Sequence, residues 1–222
     1  MQCPLKSKRW ERRKEARPQE LLAAALDLFV ERGFAATRLD DVASRAGVSK
    51  GTLYLYFANK EDLFKAVVRE NMLPMIGEAE DMIAQHQGDS ASLFQEIMLG
   101  WWDRVGNSKI SGIPKLIMAE SGNFPEVARF YYEEVSSRVS GMILRVLELG
   151  IARGEFRPID TRHALQVVIA PMVMLMLWNQ SFGACQMEQI SPQDYLRTYI
   201  DIYLRGLLQD PGMPLPPPRM PC

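Results

Sequence analysis

The chain has 222 residues, 47% of them hydrophobic and 24% charged, with a formal net charge of −1. That is enough apolar material for a sizeable core in one large domain or two small ones, and it excludes a chain too polar to fold. The charge is uneven: residues 1–70 carry 14 Lys/Arg against 10 Asp/Glu, and the rest carries 12 against 17. A basic end on an acidic remainder confines any nucleic-acid contact to that end.

Cys3, Cys185 and Cys222 are far apart and form no C-x-x-C pair, so neither disulfides nor a metal site is expected, and the compartment is expected to be the reducing cytoplasm. No apolar signal core follows the charged N-terminus, which speaks against secretion. The most apolar run, 164–178, is shorter than a bilayer requires and contains Gln166 and Pro171, so a buried helix is expected there.

Residues 1–17 are polar and basic, with Lys6, Lys8, Arg9, Arg12, Arg13, Lys14 and Arg17 around Trp10. They read as a flexible arm, either merely solvated or lying along DNA. Pro18 is suited to a helix start, after which Leu22, Ala25, Leu26, Phe29 and Val30 recur at helical spacing until Gly33. Thr37 is expected to cap the next helix and to offer its hydroxyl to a phosphate.

Two short helices joined by a tight turn follow over 37–60. Leu39, Val42, Ala43 and Ala46 share one face, Asp40 and Asp41 occupy the first turn, and Gly47 with Val48 makes the corner. Ser49 caps a second helix that carries Lys50, Gly51, Thr52, Leu53, Tyr54 and Tyr56 over barely two turns. Hydroxyls and a lysine on its outer side suit phosphates and base edges. This is a helix-turn-helix whose second helix is the reader. Residues 18–65 make up the DNA-binding domain.

The run A-G-V-S-K-G-T-L-Y-L-Y-F-A-N-K-E-D-L-F closely resembles the TetR family of bacterial transcriptional regulators. Its members read A-G-V-S-x-G-x-L-Y-x-H-F-x-x-K-E-x-L here, preceded by G-F-x-x-T-x-x-x-I-A. Gly33, Phe34, Thr37, Val42 and Ala43 fill the preceding pattern, and Tyr56 stands where the family carries histidine. The resemblance covers roughly residues 17–70. It implies that Thr37, Ser49, Tyr54 and Lys60 hold phosphates. It also places Arg38, Lys50, Thr52 and Tyr56 nearest base edges, with Gly51 on the same surface.

Beyond Asn59 a long helix opens at Lys60; Leu63, Phe64, Val67 and Val68 face the small head, and the helix continues past Pro74 to Ile83. Gly88 and Asp89 break it. The remainder alternates apolar helical stretches with breakers: 90–105, 113–120, a long helix from Pro125 to about 153, 163–182, and a last helix opened by Ser191 and Pro192. No strand-like alternation occurs. The expected fold is all-α with about nine helices, residues 66–209 forming a ligand-binding and dimerisation domain. The proline-rich tail 210–222 is expected to be disordered. The region Leu116–Arg157, with its run E-S-G-N-F-P-E-V-A-R-F-Y-Y-E-E-V, resembles regulators of efflux and stress genes.

One two-turn helix contacts too few bases to be selective, so a homodimer on a palindromic operator is expected. The last two helices have more apolar positions than one core stripe uses, and they pair with their copies in the family. Val168, Pro171, Leu175, Tyr195, Tyr199, Ile202 and Tyr203 are the interface candidates. Met98, Trp101, Trp102, Met118, Met142, Met172, Met174, Met176 and Trp178 are soft and bulky; at helical spacing they suit a plain core, and with the small-molecule cavity that the family resemblance implies between these helices they read as the lining of a pocket for a small lipophilic ligand. Glu120, Asn179 or Gln180 would orient a polar group on it or, equally, serve as solvent-facing or capping side chains. Ligand binding would shift the 60–85 helix and misplace the reading heads. A ligand-independent or architectural DNA-binding protein is the alternative. An enzyme is not expected: His86 and His163 lie near no nucleophile or metal-ligand cluster, and no cofactor motif occurs.

Overall fold

The computed structural model describes residues 8–182 and 191–209, with side chains from Pro18 onward. The three cysteines and the tail 210–222 lie outside the described residues. Ten α-helical segments are present: α1 Lys8–Ala36, α2 Leu39–Arg45, α3 Lys50–Tyr54, α4 Lys60–Gln85, α5 Ser90–Trp101, α6 Gly112–Glu120, α7 Pro125–Tyr131, α8 Ser137–Ala152, α9 Thr161–Phe182 and α10 Pro192–Leu207. A π-turn, Tyr132–Ser136, joins α7 to α8, making nine helical rods among the described residues, as the sequence led us to expect. The described residues contain no strand, only an isolated bridge between Phe156 and Leu208 that ties the α8–α9 loop to the end of α10.

One expectation is corrected at the start. The backbone is already helical from Lys8, so Pro18 lies inside α1 rather than opening it. A proline's fixed φ is helical, and the cost is one lost hydrogen bond. Gly33 does interrupt α1, at φ 85° and ψ 167°, a conformation closed to other residues without strain.

The head is built on Phe29, Phe34 and Phe64, whose ring centroids lie 5.4–5.6 Å apart. Leu21, Leu28, Val42, Leu53, Leu63 and Val67 close around them. Each short helix borrows its stability from this core, since five to seven residues cannot hold a helix alone. Capping places the ends: Ser49 Oγ accepts from the Thr52 N–H at 3.1 Å, Asn59 Oδ1 from the Asp62 N–H at 2.7 Å, and Asp89 Oδ1 from the Ser92 N–H at 2.8 Å.

The larger part packs α4 through α10 around a second core. Helix α9 has 22 residues and a mean hydropathy of 1.4 over its most apolar window, so by length and composition it could cross a membrane. The expectation that this run falls short of a span is corrected to that extent. Its inner face carries Leu165, Val168, Met172, Leu175 and Met176 into the core. Tyr195, Tyr199 and Tyr203 of α10 donate to its carbonyls at Pro171, Val168 and Ala164 (3.3, 2.9 and 2.9 Å). Only 28% of the window is buried, so much of α9 faces outward.

Candidate DNA-reading head and ligand cavity

Helix α3 presents Lys50, Gly51, Tyr54 and the following Tyr56 to solvent. Lys50 Nζ is 2.8 Å from Asp40 of α2, which sets the two helix N-termini side by side, and Arg38 stands exposed at the N-cap of α2. The Asp40 carboxylate raises the Lys50 pKa, so this lysine is a cation. The hydroxyls of Ser49 and Thr52 lie 2.8 Å apart at the start of α3. Arg38, Ser49, Lys50, Gly51, Thr52, Tyr54 and Tyr56 are thus all accessible. Leu55, 82% exposed between the two tyrosines, joins them unforeseen. The signal was its place opposite the buried Leu53, which an apolar residue of a two-turn helix hides.

Two expected phosphate ligands sit elsewhere. Thr37 is 2% exposed, and its hydroxyl lies 2.7 Å from the Gly33 carbonyl and 3.1 Å from that of Leu28. It closes the kinked end of α1, and Arg38 is the N-cap of α2. Lys60 Nζ donates to the carbonyls of Phe34 and Ala35 at 2.7 and 3.1 Å and lies 4.6 Å from the Phe34 ring. Burial lowers its pKa, with Glu61 and Glu120 opposing. Free carbonyls at the end of α1 outcompete solvent for both groups.

The same corner joins head to body. Glu120, the last residue of α6, accepts from the Ala35 N–H at 3.1 Å. Phe124 packs edge-on against Phe34 at 4.7 Å. At the other end of α6, Gly112 lets the helix approach Val30, where a Cβ would fall 2.6 Å from Cγ1, and Lys109 meets Asp27 at 2.6 Å. Glu120 therefore belongs to the joint and not to a ligand. Gln180 is likewise engaged, donating to Ser111 Oγ at 2.7 Å, and neither it nor Asn179 reaches the cavity.

The cavity measures about 430 Å³ and is walled by α4, α5, α6, α7, α8 and α9. Such a size falls within the roughly 300–1,000 Å³ of small-molecule sites. Met98, Trp101, Met118, Met142, Met172 and Met176 line it as the sequence led us to expect, and Met72, Met75 and Met82 of α4 join them. Eight of the 13 methionines therefore surround one space, a soft wall that fits irregular apolar shapes. The charged lining residues are Glu96 and Arg104, and Arg104 is held by Glu78 at 2.6 Å.

Trp102 and Trp178 are corrections. Trp102 is buried against Gly106, where a Cβ would fall 2.3 Å from its ring, and does not line the cavity. Trp178 is 41% exposed on the outer side of α9, with Val167, Met174 and Phe182. Conversely Val168, Leu175 and Tyr199, expected at a dimer surface, are buried within the chain. Pro171, Tyr195 and Tyr203 are half-buried, with both tyrosine hydroxyls bonded to α9. Of the expected set Ile202 stays exposed.

A helix-turn-helix head jointed to a helical body that encloses a ligand-sized cavity defines a DNA-binding regulator. Residues 21–67 match the bacterial regulatory proteins of the tetR family, and residues 95–206 match the C-terminal domain of AefR-like transcriptional repressors. The chain belongs to the TetR family; it is a DNA-binding regulator of transcription and not an enzyme. It is 26% identical over 196 residues to the transcriptional repressor KstR2 of Rhodococcus jostii, covering 87% of this chain and 92% of that one. The ketosteroid regulator KstR2 of Mycobacterium tuberculosis superposes with a TM-score of 0.69 at 24% identity, covering 87% of this chain and 96% of that one. FadR of Bacillus subtilis, solved with stearoyl-CoA, does so with a TM-score of 0.71 at 19% identity, covering 85% and 98%.

Proposed function

We propose that the chain is a cytoplasmic repressor that binds a palindromic operator as a homodimer and is released by a lipophilic small molecule in its cavity. Residues 18–65 act as the reading head and 66–209 as the effector and dimer domain. Arg38, Lys50, Thr52 and Tyr56 read base edges, while Ser49 and Tyr54 hold phosphates. The dimer forms through the outer side of α9 and α10, where Val167, Met174, Trp178, Phe182 and Ile202 leave large apolar groups exposed. A steroid or a long acyl thioester, in keeping with the ketosteroid regulator and the stearoyl-CoA complex among the similar structures, fits the apolar lining in kind.

The observation that carries this reading is helix α6. Pro114, Ile117 and Met118 line the cavity, and Glu120, two residues beyond Met118, grips the head at Ala35. A ligand that favours one setting of α6 and α4 over another moves the head by the same preference, typically about 1–3 kcal/mol per coupled site. The test is selection of duplexes from a random pool, followed by fluorescence anisotropy against salt and against candidate lipids. Selective, palindromic, salt-sensitive binding that weakens on adding a lipid supports the reading. Equal binding to all sequences would leave a coating protein instead.

A further inference from the structure

Tyr131 closes α7 directly before the π-turn, and π-turns are frequent at functional sites. The residue is 9% exposed and lines the cavity. The tyrosines of α10 each donate to a backbone carbonyl, at 2.9–3.3 Å. Tyr131 does not: among the described residues nothing hydrogen-bonds its hydroxyl. Nor is the oxygen sealed in protein, since the fully enclosed unpartnered side-chain atoms are Ser90 Oγ and Trp102 Nε1. The hydroxyl is therefore not enclosed by protein, and the residue that bears it lines the cavity. Burial pushes the phenol's pKa upward, with no other cause, so the group is a neutral donor at any working pH.

A phenylalanine would fill the same apolar wall, so the hydroxyl adds a donor that no protein group uses. An occupant that displaces water from this wall must accept from the hydroxyl or leave it unsatisfied. We propose that Tyr131 is a specificity-determining donor and that the effector is an apolar molecule bearing one neutral acceptor oxygen, a ketone, ester or thioester carbonyl, seated on this hydroxyl. The inference rests on the reading of the cavity as the effector site. An ionised head is disfavoured at this position. Arg104 is the cation on the lining, and Glu78 already occupies it at 2.6 Å. A buried anion without a counter-charge is strongly penalised.

The experiment titrates full-length protein and its Tyr131→Phe variant with 2-dodecanone and with dodecane, following tryptophan fluorescence, since Trp101 lines the cavity. The expected result is about tenfold weaker ketone binding in the variant, unchanged dodecane binding, and an unliganded Tm no lower than the parent's. Unchanged ketone affinity overturns the proposal, as does equal loss of both probes, which marks a merely structural tyrosine. If dodecane binds both proteins and the ketone shows no dependence on Tyr131, the cavity reading stands and the donor role falls. If neither probe binds the parent protein, both fall together.

Discussion

Glu120 accepts from the backbone N–H of Ala35 at 3.1 Å, across 85 residues of sequence. Lys60 takes the carbonyl of the same Ala35 at 3.1 Å, so one residue of the α1–α2 joint is held by two parts of the molecule. Glu120→Ala is expected to cost about 1–2 kcal/mol of stability. It should also cut the effect of ligand on operator affinity more than the affinity itself. Anisotropy titrations with and without ligand check this; a variant that loses DNA binding but keeps full ligand response would contradict the joint's role.

Lys50 and Thr37 should separate cleanly. Lys50→Ala leaves the core intact, so it should weaken operator binding and lower the salt slope by about one if the ammonium contacts a phosphate. Thr37→Val removes a buried hydroxyl bonded to the Gly33 and Leu28 carbonyls and should lower stability by about 1–2 kcal/mol. At temperatures well below its Tm, its operator affinity should stay near the parent's. Thermal melts and anisotropy on both variants decide.

The outer face of α9 is the expected dimer surface. Met174→Glu, or Trp178→Glu, places a charge on that apolar face and should yield monomers by light scattering with the helical signal kept. Tyr199→Phe instead removes a hydrogen bond of 2.9 Å to the Val168 carbonyl inside one chain. It should lower stability by about 1 kcal/mol without changing the mass.

Acid should loosen the body. Arg138 grips Glu80 through two hydrogen bonds, at 2.6 and 3.0 Å, and holds its carboxyl below the usual 4.5. A depressed carboxylate stabilises the fold above its unfolded pKa, and that contribution is lost as pH falls through the folded value. Each side chain is about one-third exposed, at 34% and 35%, so water screens the pair and its worth is about 0.5–1 kcal/mol. Glu80→Gln should lower Tm slightly at pH 7 and flatten its fall below pH 4.5. Parallel Tm–pH curves for the two proteins would show that the pair contributes nothing.

Much of this molecule was written locally. Gly33 and Gly47 break helices where positive φ is needed, at 85° and 67°. Ser49, Asn59, Asp89 and Ser191 cap the helices they precede, because a cap is a relation between neighbours in the chain. The reading helix and the all-α class followed from spacing and residue type, and six of the cavity residues from their softness and bulk together with the family resemblance. What a side chain points at is a different matter. Thr37 and Lys60 carry the chemistry of phosphate ligands, yet the carbonyls freed at the end of α1 lie nearer and claim them. On α9 nearly every position is apolar, so periodicity could not say which stripe faces inward; the packing of α6, α8 and α10 against it buried Val168 and Leu175 and left Met174 and Trp178 outside. Glu120 reaches Ala35 because folding brings two distant segments together. Local sequence determines where a helix starts and stops; only the packed neighbours decide what each of its faces meets.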